Sequence, residues 1–174
     1  MNAPLPVFAY GSNMSTVRLR ARTRSARFLA RGQLEKHSLR WHKRSVDGSG
    51  KCNALATGRR SDLVWGVLFE LDRRGKDALD AAEGLGRGYE EQVVRILTGD
   101  GVRLALAYIA QDVDETLTPY HWYKNHVLTG AREHGLPDDY IAGIVRVRSI
   151  EDLDVRRAAM NHRLHWMTGT PEQP

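Results

Sequence analysis

One stretch constrains the fold more than any other: LVWGVLFEL, residues 63–71. It is β-branched, aromatic and almost wholly apolar, and it reads as a buried strand. The segments around it supply partners. Residues 4–10 form a short strand ending at Gly11. Leu34, Leu39 and Trp41 mark broken strands over 28–44, and NALATG (53–58) is another. EQVVRILTGDGVRLALAYIA reads as a hairpin turning at GDG, with strands near 91–97 and 102–110. Helices separate these groups. The first covers 14–22, with Asn13 or Ser15 as its cap. The second covers 72–83, capped by Asp72 and stopped by Gly84, with Leu79 and Ala82 on one face. Pro119 opens a third that runs to about His134, and LPDDY begins a fourth. Residues 152–167 read as a C-terminal helix with Leu153, Met160, Leu164 and Met167 inward. Antiparallel strand groups interleaved with helices give an α+β chain with a curled or barrel-like sheet.

The length of 174 residues, 41% of them hydrophobic, suits one domain over 1–174, with 150–174 as its C-terminal helix and tail. No run approaches the ~18 apolar residues of a membrane span. Residues 1–6 lack the basic and apolar regions of a signal peptide. Cys52 is the lone cysteine, so neither an intrachain disulfide nor a CxxC motif exists. A cytoplasmic location without membrane contact is the expectation.

Charge is unevenly spread. Residues 1–60 carry 13 Lys/Arg against two acids, whereas the remainder carries 13 against 19. The densest part is the run Arg18, Arg20, Arg22, Arg24, Arg27 and Arg31. Without a helix-turn-helix, zinc finger or RNP-type aromatic motif, this run reads as a solvated face meeting the acidic half of the same fold, and no nucleic-acid partner is expected.

Most catalytic signatures are missing. GLGRG follows a helix and precedes a strand, the reverse of a dinucleotide-binding turn. Ser12 is not in a G-x-S-x-G elbow. None of the seven histidines forms HExxH or a Cys/His cluster, so no metal site is expected. Two stretches remain, YGSN (10–13) and LDAAEGLGRGYEE (79–91). Glu83 ends an apolar-faced helix, where the dipole disfavours a negative charge. It is either a proton-exchanging carboxyl group or an exposed glutamate that tolerates its position.

Four segments in order, FAYGSNM, VWGVLFEL, LDAAEGLGRGY and YKNHVLTGAREHGLPDDY, resemble the gamma-glutamylcyclotransferase family over roughly residues 7–140. The resemblance implies a small mixed β-barrel with surrounding helices. It also implies release of 5-oxoproline and a free amine or amino acid from a small gamma-glutamyl substrate, without metal or cofactor. Carried over residue by residue, it makes Glu83 the catalytic acid/base and puts Tyr10, Gly11, Ser12, Asn13 and Met14 against the substrate. A non-catalytic ligand-binding or interaction module on the same fold is the alternative, and either a monomer or a homodimer fits.

One departure concerns the loop after Glu83. The family's tyrosine falls one residue early, at Tyr89, so either the loop absorbs the shift or strand alternation turns Tyr89 away from substrate. A turn rich in Gly, Ser and Asn presents successive N–H groups suited to an anionic oxygen. Selection of the leaving amine is then expected outside that turn, at residues 86–90, at Tyr120, Trp122 and Tyr123, or in the basic first third of the chain.

Overall fold

The computed structural model describes residues 4–166. Five strands close into a barrel in the order β1 (Leu5–Ala9), β5 (Leu63–Leu71), β2 (Arg27–Glu35), β6 (Tyr89–Thr98), β7 (Gly101–Ala110). Four contacts between neighbours are antiparallel. The closing one, β1 to β7 through Val7 and Leu106, is parallel, which makes the barrel mixed. β3 (His37–Arg44) and β4 (Gly50–Ala56) form a separate two-stranded sheet.

The apolar stretch 63–71 is β5, with the boundaries its sequence suggests. It sits between β1 and β2, and Val64, Val67, Leu68, Phe69 and Leu71 are buried. Burying each such side chain contributes roughly 1.5–3 kcal/mol. The β6–β7 hairpin runs longer than its apolar residues suggest, because the ladder continues to Tyr89 at one end and Thr98 opposite Gly101 at the other.

The helices are α1 (Thr16–Arg22), α2 (Arg73–Glu83), α3 (His121–Glu133), α4 (Asp138–Val145) and α5 (Val155–Trp166). Among the described residues no helix is long and apolar enough to cross a membrane. Two sequence expectations fail. In α2, Leu79 is buried but Ala82 is exposed, and the inward face is Gly75, Lys76 and Leu79. At the C-terminus, Leu153 and Met160 point outward, 91% and 64% exposed; the Leu164 side chain and Met167 lie outside the described part of the chain. α5 is held by polar contacts instead. Arg157 grips Asp152 with two hydrogen bonds of 2.7 and 2.6 Å, Trp122 Nε1 donates to the same carboxylate at 2.8 Å, and Asn161 is buried.

Candidate active site

After β1 the chain makes one 3₁₀ turn, Ser12–Met14. Met14 N donates to Gly11 O at 3.0 Å and Ser15 N to Ser12 O at 3.3 Å. The N–H groups of Gly11, Ser12 and Asn13 precede these bonds, so the turn begins with the donors that a helical start leaves without internal partners. It is clamped from two sides. α3 lies directly upon it, since a Cβ on Gly130 would collide with the backbone of Met14 and Ser15. From α1, Arg18 donates to Ser12 Oγ at 3.1 Å and to Asn161 Oδ1 of α5 at 3.0 Å.

α2 brings Glu83 to this turn. Asp72 caps the helix by accepting from Gly75 N at 2.6 Å, and Gly84 ends it in a left-handed conformation with φ 66°. Lys76 fixes the helix to the barrel by pairing with Asp80 at 2.5 Å and with Glu91 of β6. Tyr108 of β7 donates to Asp80 at 2.6 Å. At the helix end, Glu83 Oε1 accepts from Asn13 Nδ2 at 2.9 Å and from Arg22 Nη1. The same Arg22 nitrogen donates to Asn13 Oδ1 at 2.8 Å, closing a triangle. The Glu83 and Arg22 side chains keep 15% and 22% of their exposure, so the triangle is reachable from solvent.

Glu83 and Tyr10, Gly11, Ser12 and Asn13 border one small cavity of about 40 Å³, although 70 residues separate Asn13 from Glu83. Phe8, Ala9, Cys52, Tyr89, Tyr108 and Tyr123 complete its wall. Three of the hydroxyls there serve the backbone: Tyr89 donates to Cys52 O at 2.7 Å, Tyr123 accepts from Cys52 N at 2.9 Å, and Tyr10 donates to Tyr108 O. Burial pushes the Tyr10, Tyr89 and Tyr123 hydroxyls up and the Cys52 thiol up to about 12. The cysteine is therefore a protonated wall residue, not a thiolate nucleophile. Glu83 supplies the one carboxylate among the residues that line the cavity.

A sequence profile of the AIG2-like family matches residues 63–144. The mouse gamma-glutamylcyclotransferase is 31% identical over 147 residues, covering 76% of this chain and 73% of the mouse protein. The human gamma-glutamylcyclotransferase is 31% identical over 137 residues with the same coverage. The chain belongs to the gamma-glutamylcyclotransferase family. A solved gamma-glutamyl cyclotransferase structure shares the fold with a TM-score of 0.82, at 23% identity, over 92% of this chain and 99% of that one.

Within this gamma-glutamylcyclotransferase fold the expected residues fall as follows. Tyr10, Gly11, Ser12, Asn13, Glu83, Tyr89 and Tyr123 all border the cavity. Met14 does not: it is fully buried beneath α3. The shortened loop absorbs its missing residue. Gly84, Gly86 and Gly88 take φ of 66°, 78° and 148°, and Gly86 N bonds back to Tyr89 O at 2.9 Å. Tyr89 thereby faces the cavity. Tyr120 and Trp122 stand away from it, bonded to Asp47 O and to Asp152. Tyr123 lies against the turn, because a Cβ on Gly11 would sit 3.2 Å from its hydroxyl.

The arginine run needs the largest correction. Arg20, Arg24, Arg27 and Arg31 are exposed as expected, but Arg18 and Arg22 turn inward to the site. The usable signal is their i, i+4 spacing on α1, which places them on one helix face apart from Arg20, while Arg24 lies beyond the helix end.

Proposed function

We propose that this chain is a gamma-glutamylcyclotransferase that converts a gamma-glutamyl amide or amino acid to 5-oxoproline and the free amine, with Glu83 as general base and then general acid. One observation carries the reading: the Glu83 carboxylate is held at the 10–13 turn by a 2.9 Å bond from Asn13. A proton acceptor and a set of oxyanion donors thus stand side by side.

The reaction joins the α-nitrogen of the substrate to its own γ-carbonyl carbon. In water that nitrogen is an ammonium with a pKa of ~8 and is not nucleophilic. Glu83 takes its proton, and the freed amine adds to the carbonyl. The N–H groups of the 10–13 turn receive the oxyanion that develops, where one donor contributes roughly 3 kcal/mol. The bond to the leaving nitrogen breaks as Glu83 returns the proton to it, and Glu83 then takes the second proton from the ring nitrogen and passes it to the released amine, which departs as an ammonium. Every proton and electron pair comes from the substrate and Glu83, so the step balances without a cofactor. The wall of phenols and one neutral thiol adds no competing base. A small-molecule substrate and a cytoplasmic setting belong to the same reading.

The test is Glu83→Gln, assayed by mass spectrometry for 5-oxoproline against a panel of gamma-glutamyl amides. The amide keeps the shape but cannot carry the proton, so turnover should fall by about 10²–10⁴-fold while the unfolding midpoint stays near that of the parent. Turnover within a few-fold of the parent on a validated substrate would remove Glu83 from the chemistry.

A further inference from the structure

The Arg22–Glu83 pair has two unused edges. Glu83 accepts both of its bonds, from Asn13 and from Arg22, on Oε1. Arg22 makes both of its bonds, to Asn13 and to Glu83, from Nη1. Among the described residues Oε2 accepts nothing, and the Nε and Nη2 donors of Arg22 are unused. A free Nε/Nη2 edge is the fork with which a guanidinium binds a carboxylate through two parallel hydrogen bonds.

Other basic groups nearby are committed elsewhere. Arg18 is occupied by Ser12 and Asn161. Lys51 pairs with Asp47 at 2.8 Å. Lys43 lies over the Tyr89 ring, 4.6 Å from its centroid, and carries no fork.

We propose that Arg22 anchors the α-carboxylate of the substrate. This rests on the gamma-glutamylcyclotransferase reading and assigns that reaction a specificity residue. A gamma-glutamyl group carries an ammonium and a carboxylate on one α-carbon. Its charges are neighbours, as those of Arg22 and Glu83 are, with opposite signs facing. The ammonium takes Oε2 and the carboxylate takes the Nε/Nη2 fork. Nη1 continues to hold Oε1, so the base stays in place as substrate arrives. The N–H groups of the 10–13 turn are left for the γ-carbonyl oxygen. Arg22 thus fixes which end of the glutamyl group enters beside the base, and it requires the α-carboxylate.

The test compares a gamma-glutamyl amide with the corresponding 4-aminobutanoyl amide, which closes to 2-pyrrolidinone and differs by that carboxylate alone. In the parent protein kcat/KM should favour the carboxylated substrate by about 100-fold. In Arg22→Gln the preference should fall to within a few-fold. Arg22→Lys should lie between, since an ammonium is a point charge without the fork. Any loss from misplacing Glu83 affects both substrates and cancels in the ratio, so an equal loss on both in Arg22→Gln overturns the proposal.

A second arm needs no turnover: calorimetric binding of 5-oxoproline against 2-pyrrolidinone. A parent preference for 5-oxoproline that vanishes in Arg22→Gln supports the anchor. No preference in the parent, or one retained in Arg22→Gln, overturns it. If the parent releases no 5-oxoproline from any gamma-glutamyl amide, the proposed function fails, and the binding arm alone decides the role of Arg22.

Discussion

The two walls of the site are built in opposite ways. The 10–13 wall is packed: Ser12 is buried, α3 rests on the turn at Gly130, and Arg18 ties Ser12 to α5. The wall after Glu83 is open. Leu85, Gly86 and Arg87 are exposed, and a side chain added at Gly86 would meet nothing within 4 Å. Under the proposed function, the contrast suits the two halves of a gamma-glutamyl substrate. The glutamyl half never varies and suits a fixed wall, whereas the leaving amine varies and suits an adaptable one.

The sharpest way to break this comparison is a pair of glycine substitutions. Gly130→Ala forces a methyl into the backbone of Met14 and Ser15. We expect a loss of about 1–3 kcal/mol in stability and a fall in turnover that is equal across leaving amines. Gly86→Ala strains one residue at φ 78° without a clash. It should cost about 1 kcal/mol, with KM changes that differ from amine to amine. Chemical unfolding and a substrate panel read both, and an unequal response for Gly130→Ala would dissolve the distinction.

Tyr123 sharpens the comparison. The sequence points to it as a selector of the leaving amine, yet its hydroxyl accepts from Cys52 N at 2.9 Å beside Gly11, on the fixed wall. Tyr123→Phe strands a buried N–H, a loss of roughly 1 kcal/mol. We expect an equal reduction in kcat/KM for all amines, and a changed order of preference would return Tyr123 to the selector role.

An effect that only a change of pH reveals lies behind that wall. Lys51 sits among the rings of Tyr120, Trp122 and Tyr123, 5.5, 4.6 and 4.7 Å from their centroids. Burial pulls its ammonium down from 10.5 to about 8, even with Asp47 beside it. Between those two values the unfolded chain holds the proton that the folded chain has released, so stability should rise with pH across that window. Lys51→Met should reduce this rise, as thermal unfolding from pH 7.5 to 10.5 would detect, with burial of Lys43 and Arg18 leaving a remainder of the same sign.

What the sequence discloses follows from how local each determinant is. β5 can be read residue for residue because nine consecutive side chains agree on one state. Glu83 is legible as a helix end followed by glycines and by its family resemblance. α5 misleads because the apolar pattern at Leu153 and Met160 competes with a stronger polar clamp from Asp152, Arg157 and Asn161, and the partners of that clamp lie on α1 and α3. Arg22 is hidden for the same reason: its partners are 9 and 61 residues away. In a list of six arginines nothing but helical phase separates it from its exposed neighbours.

The parallel seam between β1 and β7 also has a consequence for synthesis. The strand that leads into the 10–13 turn emerges early, but its neighbours in the barrel are β5 and β7, and the turn is roofed by α3 at Gly130. At a translation rate of about 5–20 residues per second, β1 waits roughly 6–24 s for that roof. During the wait an apolar strand with two unpaired edges depends on the ribosome and chaperones for cover. The closure joins distant parts of the chain and raises the contact order, so folding should be slower than in a helical bundle of equal length. A nascent chain stopped shortly after Ala110 would hold all five barrel strands yet lack the roof over its 10–13 turn.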